Sequence, residues 1–242
     1  MSDRKLNTAI IPAAGIGARM HSDRAKQMLE LAGVPVLVHT LRRFQDSEAV
    51  DQVILVLQPA LTGEVLNLIS RHGLSKVARV VGGGAERQDS VYRGLQVINA
   101  QDAGIIVVHD AVRPFVTPAE ITSVVERARA TGAALLALAA TDTIKQVKSG
   151  RVQKTLDRRK IYHAQTPQAF RYELLLEAFD RAYAEGFMAT DESQLLERIG
   201  RRVSIVEGSP MNVKITRPLD LCLAEVIHAE FFAQPKEAAG RR

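Results

Sequence analysis

Residues 6–17 read Leu-Asn-Thr-Ala-Ile-Ile-Pro-Ala-Ala-Gly-Ile-Gly, a short apolar run that leads directly into a loop of small residues. An apolar run of this length predicts a strand over 6–11 that is buried on both faces. Small residues after a parallel strand let backbone N–H groups come close to phosphate oxygens. The stretch therefore predicts a phosphate-binding loop at the carboxyl end of a buried strand.

The same alternation of apolar runs and helical periodicity continues along the chain. Strands are predicted over residues 52–57, 76–81, 105–108, 133–139, 203–206 and 213–215. Helices are predicted over residues 36–44, 61–70, 86–99, 118–130, 172–185, 192–199 and from 218 onwards. Strands that alternate with helices indicate right-handed βαβ units. The fold class is therefore α/β, with a doubly wound, mainly parallel sheet of the Rossmann-like type.

The alternation breaks at residues 141–166, where β-branched and basic residues flank a Ser149-Gly150 turn. This pattern predicts a β-hairpin. Neither of its strands is apolar enough for a core strand, so we expect an arm that projects from a single domain spanning 1–234. Either a second subunit covers the arm or it lies solvated on its own domain. Residues 235–242 are expected to form a flexible tail.

The composition excludes fibrous, collagen-like and low-complexity proteins. With 46% apolar and 24% charged residues in 242, the chain is typical of globular proteins. No apolar run approaches the roughly 20 residues that cross a bilayer, so we expect a soluble protein without a membrane partner. A single cysteine, Cys222, forms no disulfide framework, which favours the cytoplasm. Its apolar helical surroundings predict that Cys222 is buried.

The net charge of +5 is concentrated in one segment. Residues 141–166 hold seven basic and two acidic residues, which accounts for the whole surplus. A local basic arm differs from a broad face that binds nucleic acid. We expect no nucleic-acid partner, and the alternative, a non-catalytic nucleotide-sensing or nucleic-acid-binding protein that uses the arm, would bind DNA or RNA in a salt-dependent way.

The first glycine-rich loop matches neither common phosphate-binding motif. Gly15 and Gly17 lack the third glycine of the dinucleotide fingerprint, and no Gly-Lys-Ser/Thr ends the loop. Arg19 and Lys26 follow instead. Two cations beyond a backbone cradle suit a polyphosphate that is transferred rather than merely held.

A second glycine-rich loop, with Gly83 and Gly84, follows another predicted strand. Consecutive glycines allow a backbone to lie flat against a planar base, and Ser90 is placed to contact ribose or base. Glu86 and Asp89 are expected to be structural, since acidic side chains favour a helix N-terminus.

Asp110 follows the strand 105–108 almost directly and is expected to face the crevice in which α/β sheets bind ligands. A carboxylate there suits Mg²⁺, which takes one or two protein carboxylates and completes its shell with phosphate oxygens and water. Arg113 adds a cation. The side chain of His109 is expected to point to the face opposite Asp110, which predicts a structural role. The side chain of Lys214 is expected to point away from those of its apolar neighbours and into a cleft.

The ordered motifs are Ala13-Ala14-Gly15-x-Gly17-x-Arg19-Met20 with Lys26-Gln27, Gly83-Gly84-x-Glu86-Arg87-x-Asp89-Ser90-Val91, His109-Asp110-Ala111-x-Arg113-Pro114, Asp142-Thr143, Thr190-Asp191-Glu192 and Val213-Lys214-x-Thr216-Arg217-Pro218. Over nearly the whole chain they resemble the 2-C-methyl-D-erythritol 4-phosphate cytidylyltransferase family of the non-mevalonate isoprenoid pathway. Two positions depart from the family's pattern: Ala25 stands where Pro is frequent, and Ala85 where some members carry an acid.

The resemblance implies that CTP and methylerythritol phosphate give CDP-methylerythritol and pyrophosphate, with Mg²⁺ or another divalent cation. It also implies a homodimer in which arm 141–166 reaches across to the second subunit. The implied catalytic residues are Arg19, Lys26 and Lys214. The implied CTP-binding residues are Ala13, Ala14, Gly15, Gly17, Arg19, Lys26, Gly83, Gly84, Ser90 and Ala111. The implied substrate-binding residues are Asp110, Arg113, Thr143, Arg158 and Thr190, with Asp110 also the metal ligand.

The nearest enzymatic alternative is a ribitol 5-phosphate cytidylyltransferase, which is similar in fold and CTP loop and differs in the alditol pocket. Residues 190–192 and Arg158 on the arm favour methylerythritol phosphate. In either case the nucleophile is the substrate's own phosphate, so the enzyme needs positioning and charge neutralisation rather than a covalent residue.

Overall fold

A computed structural model describes residues 5–15 and 25–233. Its strands are β1 (Leu6–Ala13), β2 (Glu30–Leu31), β3 (Val34–Pro35), β4 (Gln52–Leu57), β5 (Val77–Gly82), β6 (Ala103–Val108), β7 (Ala133–Ala139), β8 (Lys145–Lys148), β9 (Arg151–Thr155), β10 (Tyr162–Arg171) and β11 (Ser204–Glu207). Seven of these form the central sheet, in the order β11-β7-β10-β6-β1-β4-β5. Only β10 runs against the others in this sheet. The predicted α/β class with a mainly parallel sheet is confirmed.

The helices cover both faces of this sheet. They are α1 (Val36–Asp46), α2 (Thr62–Arg71), α3 (Arg87–Gln96), α4 (Pro118–Thr131), α5 (Tyr172–Ala184), α6 (Glu192–Arg198) and α7 (Pro218–Ile227). The first hydrophobic core packs α1, α2 and α4 on one face, and the second packs α3, α5 and α6 on the other. A sheet covered on both faces explains why its central strands are nearly continuous apolar runs.

Strand β1 illustrates how the sequence produces this arrangement. Ala9 and Ile11 belong to the first core and Ile10 to the second, and none of the three side chains is exposed to solvent. Successive side chains of a strand point to opposite faces, so an uninterrupted apolar run serves both cores.

The order of the strands places the ligand site. Strands β4 and β5 lie on one side of β1, while the next strand along the chain, β6, lies on the other side. Such a reversal opens a crevice at the carboxyl ends of the strands. The ends of β1 and β6, near Ala13 and Val108, therefore border the crevice.

One strand of the central sheet was not predicted. Strand β10 pairs with both β6 and β7, and its residues 162–166 fall within the segment predicted as the arm. That segment has too few apolar residues to predict a core strand, and β10 also contains Pro167, which cannot donate to a ladder. The pairing with β7 shifts register between Ala164 and Gln168, and such an irregularity accommodates proline inside a sheet.

The rest of the predicted arm forms the expected hairpin. Strands β8 and β9 pair only with each other in the described structure, and all their residues are exposed. Val147 and Val152 lie opposite each other and are 55% and 61% exposed. The hairpin thus projects and carries an uncovered apolar pair.

Two predictions near the C-terminus are wrong. Residues 213–215 do not form a strand, because Ile215 donates one backbone bond to Val112 without a ladder. Cys222 is exposed rather than buried, since it lies on the outer face of α7. The predicted tail 235–242 lies outside the described residues. Across the described ranges, no helix is both long and apolar enough to span a membrane.

Candidate functional site

A cleft of about 480 Å³ opens at the carboxyl ends of the central strands. Its size is that of a small-molecule site. The residues that line it are Pro12, Ala13, Ala14, Gly15, Lys26, Gln27, Gln58, Pro59, Gly83, Gly84, Ala85, Glu86, Arg87, Ser90, Asp110, Ala111, Val112 and Lys214. The loops after β1, β5 and β6 thus meet in one cavity, as the strand order requires.

The glycine-rich loop after β5 is held tightly in place. The N–H of Gly83 donates to Leu57 O at 2.7 Å, and Arg93 Nη1 donates to Gly83 O at 2.7 Å. The hydroxyl of Ser90 accepts from the Gly84 N–H and donates to Glu86 O, each at 3.1 Å. Ser90 therefore shapes the loop from within.

Asp89 has a structural role, as expected, whereas Glu86 also lines the cleft. Asp89 accepts from the backbone N–H of Glu86, the N-cap of α3, at 3.0 Å. It also accepts from the Tyr183 hydroxyl at 2.7 Å. These bonds fix the start of α3 next to the cleft.

If the cleft holds the CTP that the resemblance implies, Gly83→Ala should raise the KM for CTP about tenfold, or about 1.4 kcal/mol of binding, with a smaller effect on kcat. A Cβ at Gly83 would overlap Cβ of Ala14, so the loops after β5 and β1 would separate. Steady-state kinetics with varied CTP measures the change. The matched control is Gly82→Ala, where a Cβ meets nothing within 4 Å. Equal KM values in the two variants would contradict the close approach as the cause.

Asp110 lies at the centre of a cationic cluster. Its Oδ1 accepts from Arg87 Nε at 3.1 Å, and its Oδ2 lies 2.7 Å from Lys214 Nζ and 3.6 Å from Arg113 Nε. Arg87 is also bound bidentately by Glu192, at 2.7 and 3.1 Å. The cluster therefore combines three cations with two carboxylates, and the excess positive charge suits an anionic ligand.

The electrostatics keep Asp110 ionised. Burial opposes its charge, but Arg87, Lys214 and Arg113 together hold the pKa of Asp110 well below its ordinary value. Burial also disfavours the charge on Arg87, yet Glu192 and Asp110 raise the pKa of Arg87 above its ordinary value. For Glu192, burial is the largest influence and raises the pKa of its carboxyl.

Lys26 lies at the cleft where the chain resumes after the first glycine-rich loop. It begins a single helical turn, 26–28, in which Gln27 and Met28 are buried. Gln27 Nε2 donates to Ala13 O at 2.6 Å, and Met28 packs into the first core. These two anchors keep Lys26 next to the end of β1.

His109 is fully buried beneath the cleft, in agreement with a structural role. Its Nε2 lies 3.0 Å from Arg113 O and its Nδ1 lies 3.1 Å from Thr166 Oγ1. Burial lowers the pKa of His109 from 6.5 to about 4. The folded protein therefore holds this ring neutral at pH values where the unfolded chain protonates it.

His109→Gln should flatten the pH dependence of stability between pH 6.5 and 4. Because the folded pKa is depressed, the stability contributed by the neutral ring is complete above pH 6.5 and is lost as the pH falls towards 4. The full loss is about 3 kcal/mol, from 1.36 kcal/mol per pKa unit. Urea unfolding of the wild type and the variant across this range gives the two slopes. Parallel slopes would exclude His109 as their source.

The structure brings most of the predicted site residues together. Ala13, Ala14, Gly15, Lys26, Gly83, Gly84, Ser90, Asp110, Ala111 and Lys214 all line the cleft. Arg113 lies behind it against Asp110. Thr143 and Arg158 on the arm and Thr190 do not line this cleft. Gly17 and Arg19 lie outside the described residues.

Sequence reasoning gave Arg87 no role and used Glu192 only as part of the motif 190–192, although both occur in the quoted motifs. Arg87 follows the glycine-rich loop and reaches Asp110, and Glu192 follows Thr190 and holds Arg87. The signal available in the sequence was a basic residue at the start of one predicted helix and an acidic residue at the start of another. The distance along the chain concealed that they pair.

The doubly wound fold and this cleft are those of a nucleotidyltransferase: glycine-rich loops of the kind that bind phosphates meet at the switch point of the sheet, where three cations surround one carboxylate. A family model described as 2-C-methyl-D-erythritol 4-phosphate cytidylyltransferase matches residues 7–230. The chain belongs to this family.

Individual relatives agree with this assignment. The chain is 45% identical to 2-C-methyl-D-erythritol 4-phosphate cytidylyltransferase of Pelotomaculum thermopropionicum, over 96% of this chain and 98% of the relative. The crystal structure of 4-diphosphocytidyl-2C-methyl-D-erythritol synthase from Anaerococcus prevotii matches with a TM-score of 0.83 and 29% identity, covering 93% of this chain and 96% of the other. The Thermus thermophilus cytidylyltransferase matches with a TM-score of 0.75 and 31% identity, covering 93% and 99%.

Proposed function

We propose that this protein transfers a cytidylyl group from CTP to 2-C-methyl-D-erythritol 4-phosphate, giving CDP-methylerythritol and pyrophosphate. The observation that carries the proposal is the meeting of Lys26, Asp110 and Lys214 in one glycine-rich cleft, in a chain of this family. The bond between the α- and β-phosphates of CTP breaks while the phosphate of the sugar forms a new bond to the α-phosphorus. The family match does not favour the ribitol phosphate or non-catalytic alternatives.

The reaction brings two anions together, and the cleft residues suit that task. Lys26 and Lys214 line the cleft, and we propose that they stabilise the charge that develops on the α-phosphate in the transition state, with Arg19 as a third cation. The loop that carries Gly15 offers backbone groups to the nucleotide, whereas Gly83 and Gly84, whose N–H groups are engaged by Leu57 O and Ser90 Oγ, offer it a surface free of side chains. No covalent intermediate is required, because in-line positioning and charge neutralisation supply the catalysis.

We propose Mg²⁺ as the divalent cation. Among the described residues there is no cluster of three or more side chains that would hold a metal by themselves. The cleft nevertheless offers the carboxylate of Asp110, and Mg²⁺ commonly combines one or two protein carboxylates with phosphate oxygens and water. Asp110 is paired with Arg87 through Oδ1 and with Lys214 through Oδ2, so the donor set fits a metal carried mainly by the nucleotide, with Asp110 Oδ2 as the proposed protein ligand, shared with Lys214. When bound, the metal would neutralise phosphate charge.

Release of pyrophosphate from CTP in the presence of Mg²⁺ tests the proposed reaction. Methylerythritol 4-phosphate and ribitol 5-phosphate are compared side by side at equal concentrations. We expect strong preference for the first. Preference for ribitol phosphate would keep the mechanism and overturn the substrate, and no release with either would overturn the activity.

We further propose a cytoplasmic homodimer in which arm 141–166 reaches the second subunit. The exposed pair Val147 and Val152 and the concentrated positive charge support an arm that is covered in an assembly. A single cysteine supports a reducing compartment. Sedimentation analysis of the wild type and of Val152→Lys measures the assembly: twice the chain mass is expected for the wild type, and a monomeric wild type would contradict the proposal.

Arg158→Ala should raise the KM for the sugar phosphate about tenfold, the effect of losing about 1.4 kcal/mol of binding, while the KM for CTP stays unchanged. Arg158 is exposed and donates to Thr141 O at 2.6 Å, so its side chain is not needed for the hydrophobic core. The matched control is Arg159→Ala, which loses only an exposed pair with Asp157. Equal KM values for the sugar phosphate in both variants would exclude the proposed contact.

A further inference from the structure

A chain of alternating charges leads from helix α6 into the cleft. Glu192, which does not line the cleft, accepts from Arg87 at 2.7 and 3.1 Å. Arg87 Nε donates to Asp110 Oδ1 at 3.1 Å, and Asp110 Oδ2 lies 2.7 Å from Lys214 Nζ. We call these four residues the charge chain. It connects a carboxylate outside the cleft to a cation inside it.

Stability alone does not explain a glutamate at this position. Glu192 is 1% exposed, and burying a carboxylate costs several kcal/mol that its attraction to a partner scarcely offsets. Apolar residues of similar volume often replace buried ion pairs without loss of stability. A positional role for the pair accounts for its presence better than a stabilising one does.

The helices that carry Arg87 and Glu192 are fixed by other contacts. Gln88 Nε2 donates to Phe187 O at 3.1 Å, and Gln88 Oε1 accepts from Ala189 N at 2.7 Å. Val91 of α3 and Leu195 of α6 also belong to the same hydrophobic core. The two helices are therefore held in place by contacts other than the ion pair as well.

The geometry of the guanidinium makes the pair directional. Glu192 occupies Nη1 and Nη2 of Arg87, so the planar group presents its remaining Nε–H to Asp110 Oδ1. Asp110 is thereby left with Oδ2 for Lys214. Without the Glu192 carboxylate, both Nη atoms of Arg87 lose their acceptor and would compete with Lys214 for Asp110.

We propose that Arg87 and Glu192 are positioning residues that orient Asp110 and, through it, Lys214 towards the phosphates of CTP. This inference rests on the proposed function. A misplacement of Lys214 acts on the transition state more than on the binding of CTP. Glu192→Gln should therefore lower kcat about 10- to 100-fold, with little change in the KM for CTP.

A double-mutant cycle tests the inference, with kcat measured from radiolabelled CTP for the wild type, Glu192→Gln, Lys214→Ala and the combined variant. If Glu192 acts through Lys214, its substitution lowers kcat in the wild-type background and scarcely at all in the Lys214→Ala background. A purely structural role would lower kcat by the same factor in both backgrounds. That result, or no effect of Glu192→Gln on kcat, would overturn the inference.

Two further variants complete the design. Arg87→Lys keeps the positive charge but loses the planar guanidinium with its several N–H donors, so it should lower kcat as much as Glu192→Gln does. A wild-type kcat in this variant would overturn the inference. The same variant provides the test if Glu192→Gln does not fold. Glu177→Gln is the control, because Glu177 lies on α5 in an exposed pair with Arg201. If the wild type is active and the substitutions of Glu192 and Lys214 have additive effects on the free energy of activation, only the positioning role is rejected. If the wild type is inactive, the proposed function is rejected and this inference with it.

Discussion

Lys26→Ala is expected to lower kcat about 10²- to 10³-fold, the range for losing one preorganised group that stabilises transition-state charge. Lys26 lines the cleft beside the end of β1, at the entrance to the turn fixed by Gln27 and Met28. Both anchors remain in the variant, so the turn keeps its place while the ammonium is lost. The KM for CTP should change much less than kcat, since the charge on the α-phosphate grows as the reaction proceeds.

Whether the substitution changes kcat or KM decides the role of Lys26. Initial rates of pyrophosphate release with each substrate varied give both constants. Lys5→Ala is the matched control, because Lys5 precedes β1 at its opposite end and makes an exposed pair with Glu173 worth at most about 1 kcal/mol. A raised KM with unchanged kcat would mean that Lys26 binds ground and transition states equally, and would remove it from the catalytic group.

Asp110→Asn is expected to lower the free energy of unfolding by about 3 kcal/mol, the lower end of the cost of breaking a buried ion pair. The substitution keeps the shape of the side chain but leaves Arg87, Arg113 and Lys214 with Glu192 as their one carboxylate in the cluster. For a chain of this length the melting temperature should fall by roughly 6–12 °C. Activity should be lost as well, because Lys214 loses its anchor.

Anions distinguish this explanation from a general packing defect. Pyrophosphate supplies the missing negative charge, so it should raise the melting temperature of Asp110→Asn more than that of the wild type. Asp46→Asn, an exposed change at the end of α1, is the control. A variant as stable as the wild type would show that the three cations do not require Asp110. Equal stabilisation of both proteins by pyrophosphate would exclude charge as the cause.

Local pattern alone predicted the sheet elements that are apolar throughout. Strands 52–57 and 133–139 have the predicted bounds, because most of each apolar run is buried on both faces, although in 133–139 burial ends at Ala137, before the apolar run does. Strand β10 was missed because its buried residues include Gln165, Thr166 and Gln168. Their polar groups are satisfied by distant partners, such as Ser209 O and Asp191, which no local window contains.

The positions of the candidate site residues were predictable to different degrees. Asp110, Gly83 and Lys26 each follow a strand or its loop, so the parallel sheet necessarily brings them to one edge. Lys214 reaches the same cleft although the predicted strand around it is absent, because the chain near Ile215 is tied to Val112 by a backbone bond. The motif predicted Lys214 as a site residue, and the tertiary structure explains why Lys214 lies at the cleft.

By itself, the sequence determined the class of fold and the edge of the sheet at which the chemistry lies, since the periodicity of apolar residues and the small residues after strands act locally. Only the tertiary structure decided that Glu192 and Arg87, 105 positions apart, form one buried pair. Only the tertiary structure decided that this pair supports Asp110 and Lys214. The formation of an ion pair depends on the distance between two side chains in space, and that distance is set only when the chain folds.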